Sequence, residues 1–153
     1  MMSPVLQVLM GWAGSFGFSL LFNVRGWKLI FASLGGAFSW LLYLLMEPYF
    51  PSEMLRYFLS ATFVAVYAEI LARVLKTPAT TFLIPSIIPH IPGGALYYTM
   101  NYAVQGQMDL FASRGMFTAA IAGIMAVGIL LGSTVFRMYA DWKARKRNVI
   151  QKY

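Results

Sequence analysis

The residues that could do chemistry gather in one stretch, "IPSIIPHIPGGALYYTM", residues 84–100. It holds the chain's single histidine, His90, with Pro85, Pro89, Pro92, Gly93 and Gly94 in an otherwise apolar run. An interior proline removes a backbone donor and clashes with the preceding turn, at a cost of ~3 kcal/mol or more to a helix. Paired glycines add flexibility and uncover the backbone. The simplest outcome is two half-helices, from about Ala79 to Ile87 and from Gly93–Gly94 onward. The second would aim its unreturned N–H groups, and the positive end of its dipole, into the apolar layer. That arrangement suits a carboxylate, as at the broken helices of transporters. Pro89, Pro92, Gly93, Gly94 and Tyr98 are therefore candidate substrate-binding residues. Tyr97, Thr99 and Asn101 follow on the same half-helix. His90 could donate to a freed carbonyl, titrate in coupling, or satisfy local backbone. A kinked helix packed on glycine-rich neighbours is the competing reading of the whole stretch.

Glu69 is the second candidate. In "LRYFLSATFVAVYAEILARVL" it stands seven residues after Thr62 and seven before Lys76, with Arg73 four residues on, so all four lie near one helical face. It falls about 6 Å past the middle of its segment at 1.5 Å per residue. A lone acid at that depth costs about 2.5–3.5 kcal/mol on insertion scales, so it should face protein or water. It is either an ion-pair partner of Arg73 that locks the helix end, or a substrate contact or proton-coupling carboxylate.

Other chemistries lack material. With no cysteine, one histidine and five carboxylates, the chain offers no catalytic nucleophile with its base and no metal-ligand set. It contains no G-x-x-x-x-G-K-[ST] phosphate loop. Neither catalytic residues, a metal nor a cofactor is expected, and the chain reads as a non-enzyme.

The elements that carry these residues are membrane spans. Of 153 residues 59% are hydrophobic and 11% charged, with a mean hydropathy of +0.66, against about 25% charged in soluble domains. A span needs about 20 apolar residues. Five runs qualify, roughly Pro4–Phe22, Leu29–Met46, Leu55–Leu75, Ala79–Val104 and Met116–Tyr139. The expected fold is an all-α integral membrane protein of five transmembrane helices, the fourth broken at the Pro/Gly motif. It comprises one membrane domain, residues 1–139, and a basic cytoplasmic tail, residues 140–153. The Pro89–Gly94 break should lie roughly 17–24 Å along span four from Pro78, at or beyond the midplane.

Orientation follows from the cations. One side takes Arg25, Lys28, Arg73, Lys76 and the six in the tail; the other takes only Arg56 and Arg114. The positive-inside rule then puts the C-terminus in the cytoplasm and the N-terminus outside the cell membrane. The net charge of +7 is thereby accounted for without nucleic acid. Met1–Ser3 carries no positive side chain, so no cleavable signal peptide is expected. Trp27, Tyr49, Tyr57, Tyr102, Tyr139 and Trp142 read as interfacial anchors, and the tail is suited to anionic lipid. Small residues at Gly11/Gly14/Gly17, Ser33/Gly36/Ser39 and Gly128/Gly132 predict close helix packing, within the chain or between subunits.

Taken together, "FNVRGWKL", "EILARVLKTPATTFLIPSIIPHIPGGALYYTM" and a last span with a basic tail resemble the threonine/serine exporter family. The likeness is to its small membrane component, equivalent to the C-terminal half of the one-chain exporters. The resemblance implies export of threonine, serine or a small dicarboxylate as a secondary transporter, with a companion five-span subunit of opposite topology. It carries over the break (Pro89, Pro92, Gly93) and Glu69, but not His90. The alternatives are a non-transporting scaffold or regulatory subunit, and a homo-oligomer that closes its own pathway.

Overall fold

The computed structural model describes residues 3–150. Met1 and Met2, part of the leader reading, and residues 151–153 of the basic tail lie outside the described residues. Every regular element among the described residues is helical: α1 Pro4–Leu21, α2 Trp27–Leu45, α3 Glu53–Val74, α4 Thr80–Ile87, a 3₁₀ turn Ile88–His90, α5 Gly93–Val104 and α6 Met108–Ile150. Four helices, α1, α2, α3 and the Met108–Ala140 part of α6, are long and apolar enough to cross a membrane. The fourth expected span, Ala79–Val104, coincides with two shorter helices, α4 and α5, neither of which is among these four.

Helix ends follow local chemistry. The Ser3 hydroxyl accepts from Leu6 N–H and the Ser52 hydroxyl from Leu55 N–H, capping α1 and α3. At the C-terminal end of α1, Asn23 takes φ 57°, Val24 N–H reaches Ser19 O and Asn23 N–H reaches Leu20 O, both at 2.9 Å. These are the paired bonds of a left-handed C-terminal cap. Lys76 (φ 48°) ends α3 in the same way, through Thr77 N–H to Ala72 O at 3.0 Å. Gly106 ends α5 at φ 70°, with Gln107 N–H on Tyr102 O at 2.9 Å.

Small residues set the packing. On α6, a Cβ at Gly128 would stand 2.7 Å from Phe58 O, and one at Gly132 2.8 Å from Thr62 O. Thus α6 rests directly on the α3 backbone, and the GxxxG pair is used inside the chain. Gly36 admits Ser15 of α1, and Gly35 admits Ser86 of α4 and the Tyr67 ring. Tyr67 donates across to Phe31 O at 2.7 Å. By contrast, a Cβ at Gly14 or Gly17 would meet nothing within 4 Å.

Two expectations are corrected. The expected fifth span starts at Met116, but α6 begins earlier, at Met108, because no proline after Gly106 breaks the helix. At 43 residues α6 is about 65 Å long, more than a bilayer's ~45 Å including headgroups. Tyr57 is no interfacial anchor: it is buried against Tyr43 at a centroid distance of 4.9 Å.

Candidate functional site

The break is built by proline register. Pro85 sits inside α4; three residues after Pro89 and its 3₁₀ turn, Pro92 precedes the first residue of α5. No α-helical bond spans this interval, so its backbone polar groups need other partners. Ser39 of α2 supplies one: its hydroxyl lies 2.9 Å from Gly36 O and 3.2 Å from Ser86 O. Ser86 in turn donates to Ala32 O at 3.1 Å. Two serines thus cover carbonyls where α2 meets α4, as backbone in an apolar layer requires.

Pro89 lodges between α1 and α2. Its ring would lie 3.5 Å from a Cβ at Gly11 and 3.4 Å from one at Gly36, the central residue of α2. A 320 Å³ recess lined by Gln7, Gly11, Gly14, Trp40 and Pro89 opens beside it. His90, next to Pro89, is fully buried. Trp40, Tyr43 and Tyr57 present their rings edge-on to it at 5.5, 5.9 and 6.1 Å. Among the described residues neither His90 nitrogen has a hydrogen-bond partner, nor do Trp40 Nε1, Ser15 Oγ or Ser60 Oγ. This concentration of unpartnered polar atoms about the break is what sequence reasoning missed. Trp40 and Tyr43 gave no signal, and Tyr57 was assigned to the interface.

Beyond the turn, α5 opens on the other side of the chain. Leu96 N–H makes the first helical bond of α5, to Pro92 O at 3.0 Å, whereas Gly93 N–H turns back to Ile91 O at 2.7 Å. The amides of Gly94 and Ala95 have no acceptor within the described chain. A Cβ at Gly93 or Gly94 would meet nothing within 4 Å, and Tyr97 and Tyr98 are exposed. Pro92 borders a 620 Å³ apolar groove between α5 and α6, with Ile91, Leu96, Thr99, Phe111 and Met125. His90 is therefore sealed inside the bundle, while Gly93, Gly94 and Tyr98 face outward.

Glu69 lies elsewhere. Its neighbour Ala68 packs with Phe82 near the start of α4, whereas the break is level with Tyr57, twelve residues earlier on α3 and roughly 18 Å away along its axis. The carboxylate is buried and doubly paired. Oε2 accepts from Arg73 Nη1 and Oε1 from Arg137 Nε, each at 2.7 Å. Arg73 also stacks on Phe136, 5.0 Å from the ring centre. In the sequence Arg137 signals only orientation, as one of the six cations of the tail. Thr62, by contrast, lies at the Gly128–Gly132 contact, with its hydroxyl on Phe58 O at 2.8 Å. Lys76, past the end of α3, belongs to the turn. Among the described residues no cluster of His, Cys, Asp and Glu could hold a metal ion.

No curated protein and no solved structure matches the chain. The family model described as "Threonine/Serine exporter, ThrE" matches residues 7–135, which takes in all of α1 to α5 except the first turn, and most of α6. That match makes this all-helical, multi-pass membrane chain a member of a transporter family. The chain belongs to the threonine/serine exporter family.

Proposed function

We propose that this chain is one subunit of a secondary exporter that moves threonine, serine or a small dicarboxylate out of the cell, and that the substrate's carboxylate is held at the start of α5. The observation that carries this reading is the amide pair of Gly94 and Ala95, which has no acceptor among the described residues and follows Gly93 and Gly94, where an added Cβ would meet nothing within 4 Å. Unreturned amides at a helix start favour an anion. In this reading α4, the 3₁₀ turn and α5 together make the fourth of five crossings. The N-terminus lies outside and the basic C-terminal tail lies in the cytoplasm against anionic lipid.

A companion five-span subunit completes the site. The outward face of Gly93, Gly94 and Tyr98 is uncovered, and unsatisfied backbone is tolerated at membrane depth only against protein or water. Glu69, about 18 Å from Tyr57 and the break by helix rise, serves as the lock of the α3–α6 end rather than as a substrate contact.

The test is efflux from cells lacking this chain and loaded with threonine, serine or succinate. Retention of at least one of the three, relieved by restoring the chain, is the expected result. Unchanged efflux of all three would leave only a scaffolding role.

A further inference from the structure

Where α1 and α3 end and α4 begins, a 510 Å³ cavity is lined by Asn23, Arg25, Lys28, Thr77, Thr80 and Thr81 and floored by Pro85. The two left-handed helix ends shape it. The turn at Asn23 buries Val24 and leaves Arg25 at the rim; the turn at Lys76 brings Thr77 into the wall. Arg25 Nε donates to Asn23 Oδ1 at 2.8 Å, which fixes the guanidinium and leaves its terminal fork free. Among the described residues no hydrogen bond engages the Lys28 ammonium or the hydroxyls of Thr80 and Thr81, and no side chain caps α4.

The charge is one-sided. No acidic residue lines the cavity, and among the described residues neither Arg25 nor Lys28 has an ion pair. Arg56, Arg73 and Arg137 each have a carboxylate within 4 Å. Two cations with free donors, held on a concave wall of hydroxyls, make an anion receptor. A guanidinium fork matches a carboxylate in two parallel hydrogen bonds, and an ammonium adds a point charge. Ile84 and Pro85 of α4 belong to its lining, one turn before Pro89.

We propose that this cavity is the loading site of the exporter, where the carboxylate of the outgoing substrate is first held by Arg25 and Lys28. The proposal rests on the exporter reading and on its orientation, which places this end in the cytoplasm. A phosphate group of anionic lipid offers similar chemistry, so the test separates the two sources.

The full chain, in nanodiscs of phosphatidylcholine alone, is titrated calorimetrically with succinate and with L-threonine. At least one probe should bind, about tenfold more weakly in Arg25→Gln/Lys28→Gln, the scale expected for losing a charge-assisted contact. Lys28→Arg should bind within about threefold of the parent, since charge and donors remain. Arg25→Gln combined with Trp27→Lys keeps the loop's charge, and so its orientation signal, while moving the charge to an exposed position outside the cavity. It should bind as weakly as Arg25→Gln alone. Parental affinity in that variant would overturn the proposal, because the charges would then serve only orientation. So would the absence of probe binding in neutral nanodiscs together with Arg25-dependent retention of phosphatidylglycerol. Cellular efflux keeps the two readings distinct. Normal efflux in cells lacking the chain sinks the exporter reading and leaves the binding result standing. Intact binding and efflux in Arg25→Gln/Trp27→Lys sink the cavity alone.

Discussion

Arg137 Nε donates to Glu69 Oε1 at 2.7 Å, across 68 positions of sequence. With Arg73 on the other carboxylate oxygen, the bond ties α6 to α3 at the end opposite Tyr57. Glu69→Gln loses both charge-assisted bonds and should cost about 1–3 kcal/mol of stability. Arg137→Ala should cost less, because its guanidinium is largely exposed and Arg73 keeps one oxygen engaged. Thermal unfolding of the purified variants checks the order. An efflux pH profile that moves in Glu69→Gln at unchanged stability would instead mark a coupling carboxylate.

At Gly128 and Gly132 an added methyl meets backbone oxygen rather than a mobile side chain. Gly128→Ala and Gly132→Ala should each destabilise by about 1–3 kcal/mol, the usual range for overpacking. Gly14→Ala and Gly17→Ala, with open space around them, should stay within about 0.5 kcal/mol of the parent. Denaturation in detergent compares the four.

His90 is enclosed by three aromatic rings and makes no hydrogen bond. Exchanging such a group for an apolar one of similar shape is close to neutral or stabilising. His90→Phe should therefore fold, and should export with an unchanged pH profile. Loss of export in a folded His90→Phe protein would make the imidazole part of the coupling machinery.

Ser39 covers the Ser86 carbonyl beside the break. Ser39→Ala should cost about 1 kcal/mol, the net worth of a typical hydrogen bond, and Ser39→Thr less. Melting temperatures of the pair, measured in one detergent, decide this.

Much of this was legible in the residues. The spacing of Gly128 and Gly132 announced a close helix contact, and the prolines placed a helix end at Ile87 and a start at Gly93. What spacing cannot supply is the identity of the partner. That α6 seats on the carbonyls of Phe58 and Thr62 is a tertiary fact, as is the reach of Arg137 to Glu69. Tyr57 misled because an aromatic near a helix end has the same composition signal whether it faces headgroups or a buried imidazole. Arg25 and Lys28 were absorbed into the charge asymmetry, because only the turns at Asn23 and Lys76 gather them with Thr77 and the start of α4.

The most direct test of the central claim is the efflux of threonine, serine and succinate from cells carrying Gly93→Leu, at a membrane level matched to the parent. Gly93 has an ordinary φ and open space where a side chain would stand, so the variant should fold and insert. The account predicts loss of export of whichever compound the parent exports, because the leucine covers the amides that receive the carboxylate. Parental efflux from a correctly inserted Gly93→Leu protein would contradict it.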